Sequence, residues 1–149
     1  MEKTGSDIAE RAERIEALVG ACREVLRSEG SDRIEAVFLY GSSLDDGFRP
    51  DSDVDLAVLD DGKDRLSWRD QARLMDALER ATGKGVDLRM LRESSPSHQA
   101  HVLERGRLVW SRDSGVVEGY ALDLRSAAKA ERDRAESEWP RMLRRLAGR

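Results

Sequence analysis

The sequence predicts an α+β (α/β) fold in which helices flank a small mixed β-sheet of about four strands. Short runs with an apolar residue at every second position indicate strands, because successive side chains of a strand point to opposite faces. Longer runs with apolar residues three or four positions apart indicate helices. The chain has 149 residues. We expect one domain over residues 1–112 and a helical segment over 113–149 that packs on the domain, on a partner, or on both.

The predicted elements alternate along the chain. Strands are predicted at 34–40, 53–59, 86–91 and 108–110, and helices at 7–29, 68–81, 96–105 and 114–146. The last strand is expected at an edge of the sheet. The first two strands should be antiparallel neighbours, since the residues between them are too few for a crossover helix.

Helix ends and core residues are predicted from local chemistry. The predicted starts are Asp7 with Glu10, Ser67 with Asp70, and Ser95 with Pro96, and Gly30 is predicted to end the first helix. The side chains predicted to face the core are Trp68, Ala72, Met75 and Leu78 on the second helix, together with Cys22 and Trp110.

The C-terminal segment has only helical signals, and it would reach about 45 Å at 1.5 Å per residue. Pro140 should kink or divide this helix near Glu138. The apolar residues at its far end are Trp139, Met142, Leu143 and Leu146. Two interpretations remain open: this end contacts another chain in a homo- or hetero-oligomer, or it folds back on its own domain at Pro140.

Composition excludes several classes of function. Net charge is −4 and the pI is near 5.3, which argues against direct binding of duplex DNA. No apolar run is long enough for a transmembrane helix, and the polar N-terminus lacks the features of a signal peptide. A single cysteine allows no internal disulfide and fits a reducing cytoplasm. We therefore expect a cytoplasmic protein that does not bind membranes.

The stretch from Tyr40 to Leu59 carries the strongest chemical signal. Asp53 and Asp55 alternate with apolar residues, so both carboxylates should lie on one face of a strand. Two adjacent carboxylates require a compensating cation, and Mg²⁺ prefers oxygen ligands. Gly41-Ser42 follows the first strand directly, and its backbone N–H groups suit a phosphate. A third strand carboxylate, Asp87, follows later in the chain.

The spacing Gly-Ser, ten residues, Asp-x-Asp, followed by Asp87 on another strand, resembles the signature of the DNA polymerase β-like nucleotidyltransferases. Within this superfamily the chain is most similar to the minimal nucleotidyltransferases that serve as antitoxins beside HEPN-domain ribonuclease toxins. The resemblance covers residues 34–110 and implies the nucleotidyltransferase fold.

The resemblance also implies roles for individual residues. Asp53, Asp55 and Asp87 would be the catalytic residues and the ligands of two Mg²⁺ ions, with Asp87 helping to deprotonate the attacking hydroxyl. ATP would be held by Gly41, Ser42, Ser43, Asp53 and Asp55. The implied activity is transfer of AMP from ATP to a tyrosine hydroxyl of a HEPN toxin.

Two positions depart from the family pattern. The common form has Arg after Gly-Ser and Gly four residues after the Ser, whereas this chain has Ser43 and Asp46, with Gly47 one place late. The loss of that arginine removes a cation near the phosphates. Arg49 lies in the same loop, and we interpret it as an exposed loop residue. The other acids interpreted as solvated loop residues are Asp45, Asp46, Asp51, Asp60 and Asp61.

Two other functions remain open from the sequence. The altered loop is compatible with a non-catalytic module that neutralises its partner by occlusion. A small-molecule (antibiotic) nucleotidyltransferase is the third hypothesis, although the segment after Trp110 is too short for the substrate domain that such enzymes usually carry.

Overall fold

A computed structural model describes residues 4–29, 32–45 and 47–148. The elements are α1 (Gly5–Glu29), β1 (Ile34–Tyr40), β2 (Val54–Asp60), α2 (Trp68–Thr82), β3 (Val86–Met90), α3 (Pro96–Arg105), β4 (Arg107–Ser111) and α4 (Ser114–Ala147). A 3₁₀ turn follows β1 at Gly41–Leu44, and another follows β3 at Leu91–Glu93.

The four strands form one mixed sheet in the order β3-β2-β1-β4. β1 is antiparallel to both β2 and β4, whereas β2 and β3 are parallel. The predicted fold class is therefore confirmed, as are the antiparallel pairing of the first two strands and the edge position of the last one.

Both faces of the sheet are covered by helices. One face carries Val54, Leu56 and Val58, which pack with residues of α1 and α2. The other face carries Phe38 and Leu59, which pack with residues of α3 and α4. Because a strand alternates with a period of two, the odd-numbered residues of β2, including Asp55, belong to this second face.

Side chains at the helix ends fix where the helices begin. Ser67 accepts a hydrogen bond from the Asp70 amide at 3.1 Å, as predicted. The first helix begins earlier than predicted, because Thr4 accepts from the Asp7 amide at 3.3 Å while the Asp7 carboxylate accepts from the Thr4 amide. The pairing of Asp7 with Glu10 as a capping box was therefore wrong. Gly30 lies outside the described residues.

The buried face of α2 differs from the prediction. Leu74, Ala77 and Leu78 are buried, whereas Trp68 is 86% exposed. Leu66, which precedes the helix, belongs to the core. It fills the core near the start of α2, so no side chain from the first turn of the helix is needed there. The predictions of Trp68 and Ala72 as core residues were wrong, because both side chains are exposed. Trp110 is half-buried and packs against the core.

Two further interpretations of single residues can be compared with the structure. Cys22 is fully buried, as predicted, and burial raises the pKa of its thiol to about 11. Asp60 is not a solvated loop acid, because it is buried at the end of β2 and lies 3.3 Å from Nε of Arg92. The ion pair explains how a carboxylate is kept at this depth.

α4 is one continuous helix of 34 residues, about 51 Å long. Its first turns dock on the domain through the buried Tyr120 and Leu124, and the Tyr120 hydroxyl donates a hydrogen bond to the side chain of Gln99. From residue 129 to residue 148 every residue is exposed. The helix runs through Pro140 without a division, so the interpretation that its end folds back on its own domain was wrong.

Candidate active site

The parallel pairing of β2 with β3 brings the predicted carboxylates to one edge of the sheet. Val54 pairs with Val86, and Asp55 pairs with Asp87 in the next register position. Asp53 precedes β2 by one residue, and the amide of Val54 donates to the carbonyl of Gly85 at 2.8 Å. By strand alternation Asp53, Asp55 and Asp87 share one face, with Asp55 and Asp87 side by side.

The carboxylates act on one another electrostatically. Burial raises the pKa of Asp55 above its ordinary value, and the negative charges of Asp87 and Asp53 raise it further. The positive charge of Arg89 lowers the same pKa and partly offsets these effects. This pattern is that of a site with more negative charge than its own side chains neutralise.

Arg89 is a site residue that the sequence did not reveal. Its Nε lies 3.4 Å from Oδ2 of Asp87, and both side chains remain largely exposed. Since it follows Asp87 by two positions on β3, it points to the same face. The sequence does show Arg89 two positions after Asp87. The chain is rich in arginine, however, and this spacing alone does not single out Arg89 as a residue of the site.

Two glycines allow the backbone to approach the carboxylates closely. Gly41 has a φ of +75°, and a Cβ on it would overlap Oδ2 of Asp55 and lie 3.2 Å from the Cγ. A Cβ on Gly85 would overlap Oδ1 of Asp53 and also lie 3.2 Å from the Cγ. Gly41 was predicted as a phosphate-binding residue. The contact of Gly85 with Asp53 was not predicted, because it depends on the pairing of β2 with β3.

The turn after β1 places backbone amides beside these carboxylates. In the 3₁₀ turn Gly41–Leu44, the first N–H groups have no partner within the turn, and N–H groups in this position favour a nearby anion. The Ser42 side chain is half-buried. Ser43 is fully buried, and its hydroxyl donates to the carbonyl of Tyr40 at 3.1 Å. The Ser43 side chain is therefore not available to a ligand, and only its backbone could make the predicted contact with a phosphate.

Cations from two other elements hold the loop between the turn and β2. Nη2 of Arg14 on α1 donates to the carbonyl of Asp45 at 2.8 Å. The ring of Phe48 lies between this guanidinium, at 4.9 Å, and Nζ of Lys84, at 5.0 Å. Lys84 also donates to the carbonyl of Pro50 at 3.0 Å. These contacts stabilise the loop that separates the phosphate-binding turn from the carboxylates.

Two residues singled out in this loop have no established role in the site. Arg49 is exposed, and its backbone amide donates to Ser52 at 2.9 Å. Asp46, one of the two departures from the family pattern, lies outside the described residues. The candidate site thus consists of the turn Gly41–Leu44, three carboxylates and Arg89.

A family model described as polymerase beta, nucleotidyltransferase matches residues 21–115. The match includes all four strands, the Gly-Ser turn and the three carboxylates. The chain belongs to the polymerase beta nucleotidyltransferase family. The resemblance noted in the sequence is therefore confirmed at the level of the family.

Solved structures of toxin–antitoxin systems have a similar fold to this nucleotidyltransferase. A toxin–antitoxin with AMP-PNP has a TM-score of 0.65 and 22% identity, covering 84% of this chain and 98% of the other. The toxin–antitoxin MntA–HepT has a TM-score of 0.61 and 21% identity, with coverages of 85% and 97%. A tri-AMPylated Shewanella oneidensis HEPN toxin in complex with an MNT antitoxin has a TM-score of 0.56 and 24% identity, with coverages of 81% and 94%.

At these identities the structural comparisons establish the fold of the nucleotidyltransferase and nothing finer. A search of curated proteins gives no match. In the described part of the chain, no helix combines the length and the apolar character needed to cross a bilayer.

The carboxylates of this nucleotidyltransferase fit a magnesium ion in type and placement, although they do not form a closed cage. Among the described residues, no three His, Cys, Asp or Glu side chains are grouped as a set of metal ligands. Mg²⁺ usually keeps several waters and binds through one or two carboxylates together with substrate phosphates. The pairing of Asp55 with Asp87 beside the turn Gly41–Leu44 suits that mode of binding, provided that Arg89 releases Asp87.

Proposed function

We propose that this nucleotidyltransferase is a Mg²⁺-dependent protein adenylyltransferase that transfers AMP from ATP to a tyrosine hydroxyl of a HEPN ribonuclease toxin. The observation that carries the proposal is the common face of Asp53, Asp55 and Asp87 beside the turn Gly41–Leu44. The fold similarity to complexes of HEPN toxins with MNT antitoxins supports the choice of partner. On this proposal the protein acts as an antitoxin in the cytoplasm.

The nucleotide is bound by the turn and by the first two carboxylates. The backbone amides at Gly41, Ser42 and Ser43 hold the terminal phosphates, where the free N–H groups of the turn favour negative charge. Asp53, Asp55 and Asp87 would hold two Mg²⁺ ions, which neutralise phosphate charge and stabilise the entering and leaving oxygens.

The proposed transfer forms one bond and breaks one. The tyrosine oxygen bonds to the α-phosphorus of ATP, and the bond from that phosphorus to the oxygen bridging to the β-phosphate breaks. AMP remains on the tyrosine, and pyrophosphate leaves with the bridging oxygen. Asp87 accepts the proton of the hydroxyl, for which its place opposite Asp55 at the open edge of the sheet is suitable.

One observation favours the second candidate, a non-catalytic antitoxin that neutralises its partner by occlusion. Arg89 lies 3.4 Å from Asp87, where a cation would otherwise be needed. If this ion pair persisted with nucleotide and Mg²⁺ present, it would keep Asp87 from its role in the transfer.

Mass spectrometry of the partner distinguishes the two candidates. The chain is incubated with ATP, Mg²⁺ and the HEPN protein encoded beside it, and the partner is expected to gain the mass of AMP on a tyrosine. Asp53→Asn should abolish this gain, whereas Asp51→Asn, which changes an exposed acid in the same loop, should not. An unmodified partner that Asp53→Asn still neutralises would establish occlusion and refute the transfer.

A further inference from the structure

The distal half of α4 carries an apolar stripe that the described part of its own chain leaves uncovered. Trp139 is 56% exposed, Met142 39% and Leu146 55%. With Ala135 they follow one another at intervals of four, three and four residues, which places all four on one face of the helix. We call these four residues the distal stripe. A stripe of this width normally faces another protein surface.

The proximal half of the same helix borders an apolar groove. The groove has a volume of about 560 Å³ and lies between α3, β4 and α4. Its lining includes Leu103, Leu108, Val117, Ala121 and Leu124. Leu108, on the edge strand, is 38% exposed beside it. We call this cavity the proximal groove.

The stripe and the groove of one molecule cannot meet. Leu124 and Trp139 are 15 residues apart on one unbroken helix, which separates them by about 22 Å along its axis. The stripe itself is about 17 Å long, and the groove residues of α4, Val117 to Arg132, extend over about 22 Å. The groove is long enough to take the stripe and both surfaces are apolar, so the stripe fits the groove of another copy.

We propose that two copies of the chain associate through antiparallel α4 helices, each placing its distal stripe in the proximal groove of the other. A two-fold axis near residues 132 and 133 achieves this with one self-complementary contact. In that register Trp139 enters between Leu124 and Ala128 of the second copy, and Met142 enters between Ala121 and Leu124. Large side chains thus fall opposite small ones, as helix packing requires.

The charges beside the stripe support the antiparallel register. On one flank Lys129 lies opposite Glu136 of the second copy, and on the other flank Glu131 lies opposite Arg134 of the second copy. Each pair occurs twice by symmetry. These pairs are exposed and contribute little stability, but they favour this register over ones that place like charges together.

The proposed interface is separate from the candidate active site and from the family match. The groove lies at the β4 edge of the sheet, whereas the carboxylates lie on β2 and β3 at the opposite edge. The family model ends at residue 115, so almost all of α4 lies outside it. Association through α4 therefore leaves the carboxylate edge open, and it does not depend on the proposed activity.

Light scattering of the purified chain tests the proposal. We expect the mass of a dimer, and we expect Trp139→Glu to give the mass of a monomer that keeps the helical content of the wild type by circular dichroism, because residue 139 is exposed in its own chain. The matched control is Trp68→Glu, which changes a tryptophan on α2 that is even more exposed and should remain dimeric. A monomeric wild-type chain, or a dimer that survives Trp139→Glu, would overturn the proposal.

Cysteine cross-linking tests the orientation. A chain with both Ala128→Cys and Ala135→Cys should form an inter-chain disulfide under mild oxidation, since these positions meet only across an antiparallel pair. Cys22 does not interfere because it is fully buried. Efficient cross-linking by Ala135→Cys alone would indicate parallel helices and refute the register. Association that occurs only when a HEPN protein is added would assign the stripe to that partner instead and refute self-association.

Discussion

The repulsion between Asp55 and Asp87 predicts that a single amide substitution stabilises the protein while it disables the site. Asp55→Asn keeps the shape of the side chain and removes one of two like charges that are directly opposite across β2 and β3. The raised pKa of Asp55, caused first by burial and then by Asp87, shows that its charged form is disfavoured in the folded state. Removal of that charge should therefore raise the free energy of unfolding.

The size of the effect follows from the spacing of the strands. Neighbouring strands lie about 4.8 Å apart, and two unit charges at that distance repel by about 0.9 kcal/mol in water and by about 3.5 kcal/mol at an effective dielectric constant of 20. Both carboxylates are half-buried and Arg89 offsets part of their charge, so the lower value applies. About 1 kcal/mol corresponds to a rise in Tm of about 2–4 °C for a chain of this length.

Differential scanning calorimetry at neutral pH and low salt measures this difference. The control is Asp51→Asn, which makes the same change in net charge at an exposed loop position and should leave Tm within error. The gain should vanish in acid. The folded-state pKa of Asp55 is raised, so the wild-type protein loses stability as the pH rises from the ordinary value of 3.8 through the raised one. A lower Tm for Asp55→Asn, or a gain equal to that of Asp51→Asn, would refute the reasoning.

Three further substitutions test the site. Urea denaturation of Gly41→Ala should show a free energy of unfolding about 1–2 kcal/mol lower, because alanine is strained in a left-handed backbone. The control is Gly83→Ala, which has a similar φ but whose Cβ would meet no other atom, so its loss should be smaller. Gly85→Ala should displace Asp53 without this backbone strain, so AMP transfer should fall severalfold while Tm changes little. Arg89→Gln should lower Tm by up to about 4 °C at low salt and by less at high salt, because the exposed ion pair is worth at most about 1 kcal/mol.

The sequence was sufficient to place Asp53 and Asp55 on one face because strand geometry has a fixed period. Asp53 and Asp55 are two positions apart, so they lie on the same face of a strand wherever its ends are placed. Asp87 obeys the same rule on β3. The register of β2 against β3, which places Asp55 opposite Asp87, is a tertiary property that no local pattern specifies.

Predictions failed where they depended on which face of a helix is buried, or on how strands distant in the sequence pair with each other. Trp68 was assigned to the core because apolar residues recur at helical intervals after it, but Leu66 lies in the core just ahead of the helix. Gly85 and Arg89 could not be assigned to the site, since their roles arise only when β3 pairs with β2. For α4, Pro140 suggested a break, yet an exposed helix can continue through a proline that removes only one hydrogen bond.

The structure also suggests a reason why this chain has Ser43 where the family pattern has an arginine. Where the family pattern has an arginine, this chain has a fully buried serine whose hydroxyl is bonded to Tyr40, so a long cationic side chain at this position would itself be buried at high cost. Arg89 brings a guanidinium to the carboxylates from β3 instead. We infer that in this chain the strand, and not the turn, supplies the positive charge near the carboxylates. On this inference Arg89 is the residue that must exchange a carboxylate partner for a phosphate when the nucleotide binds, and Arg49 is not.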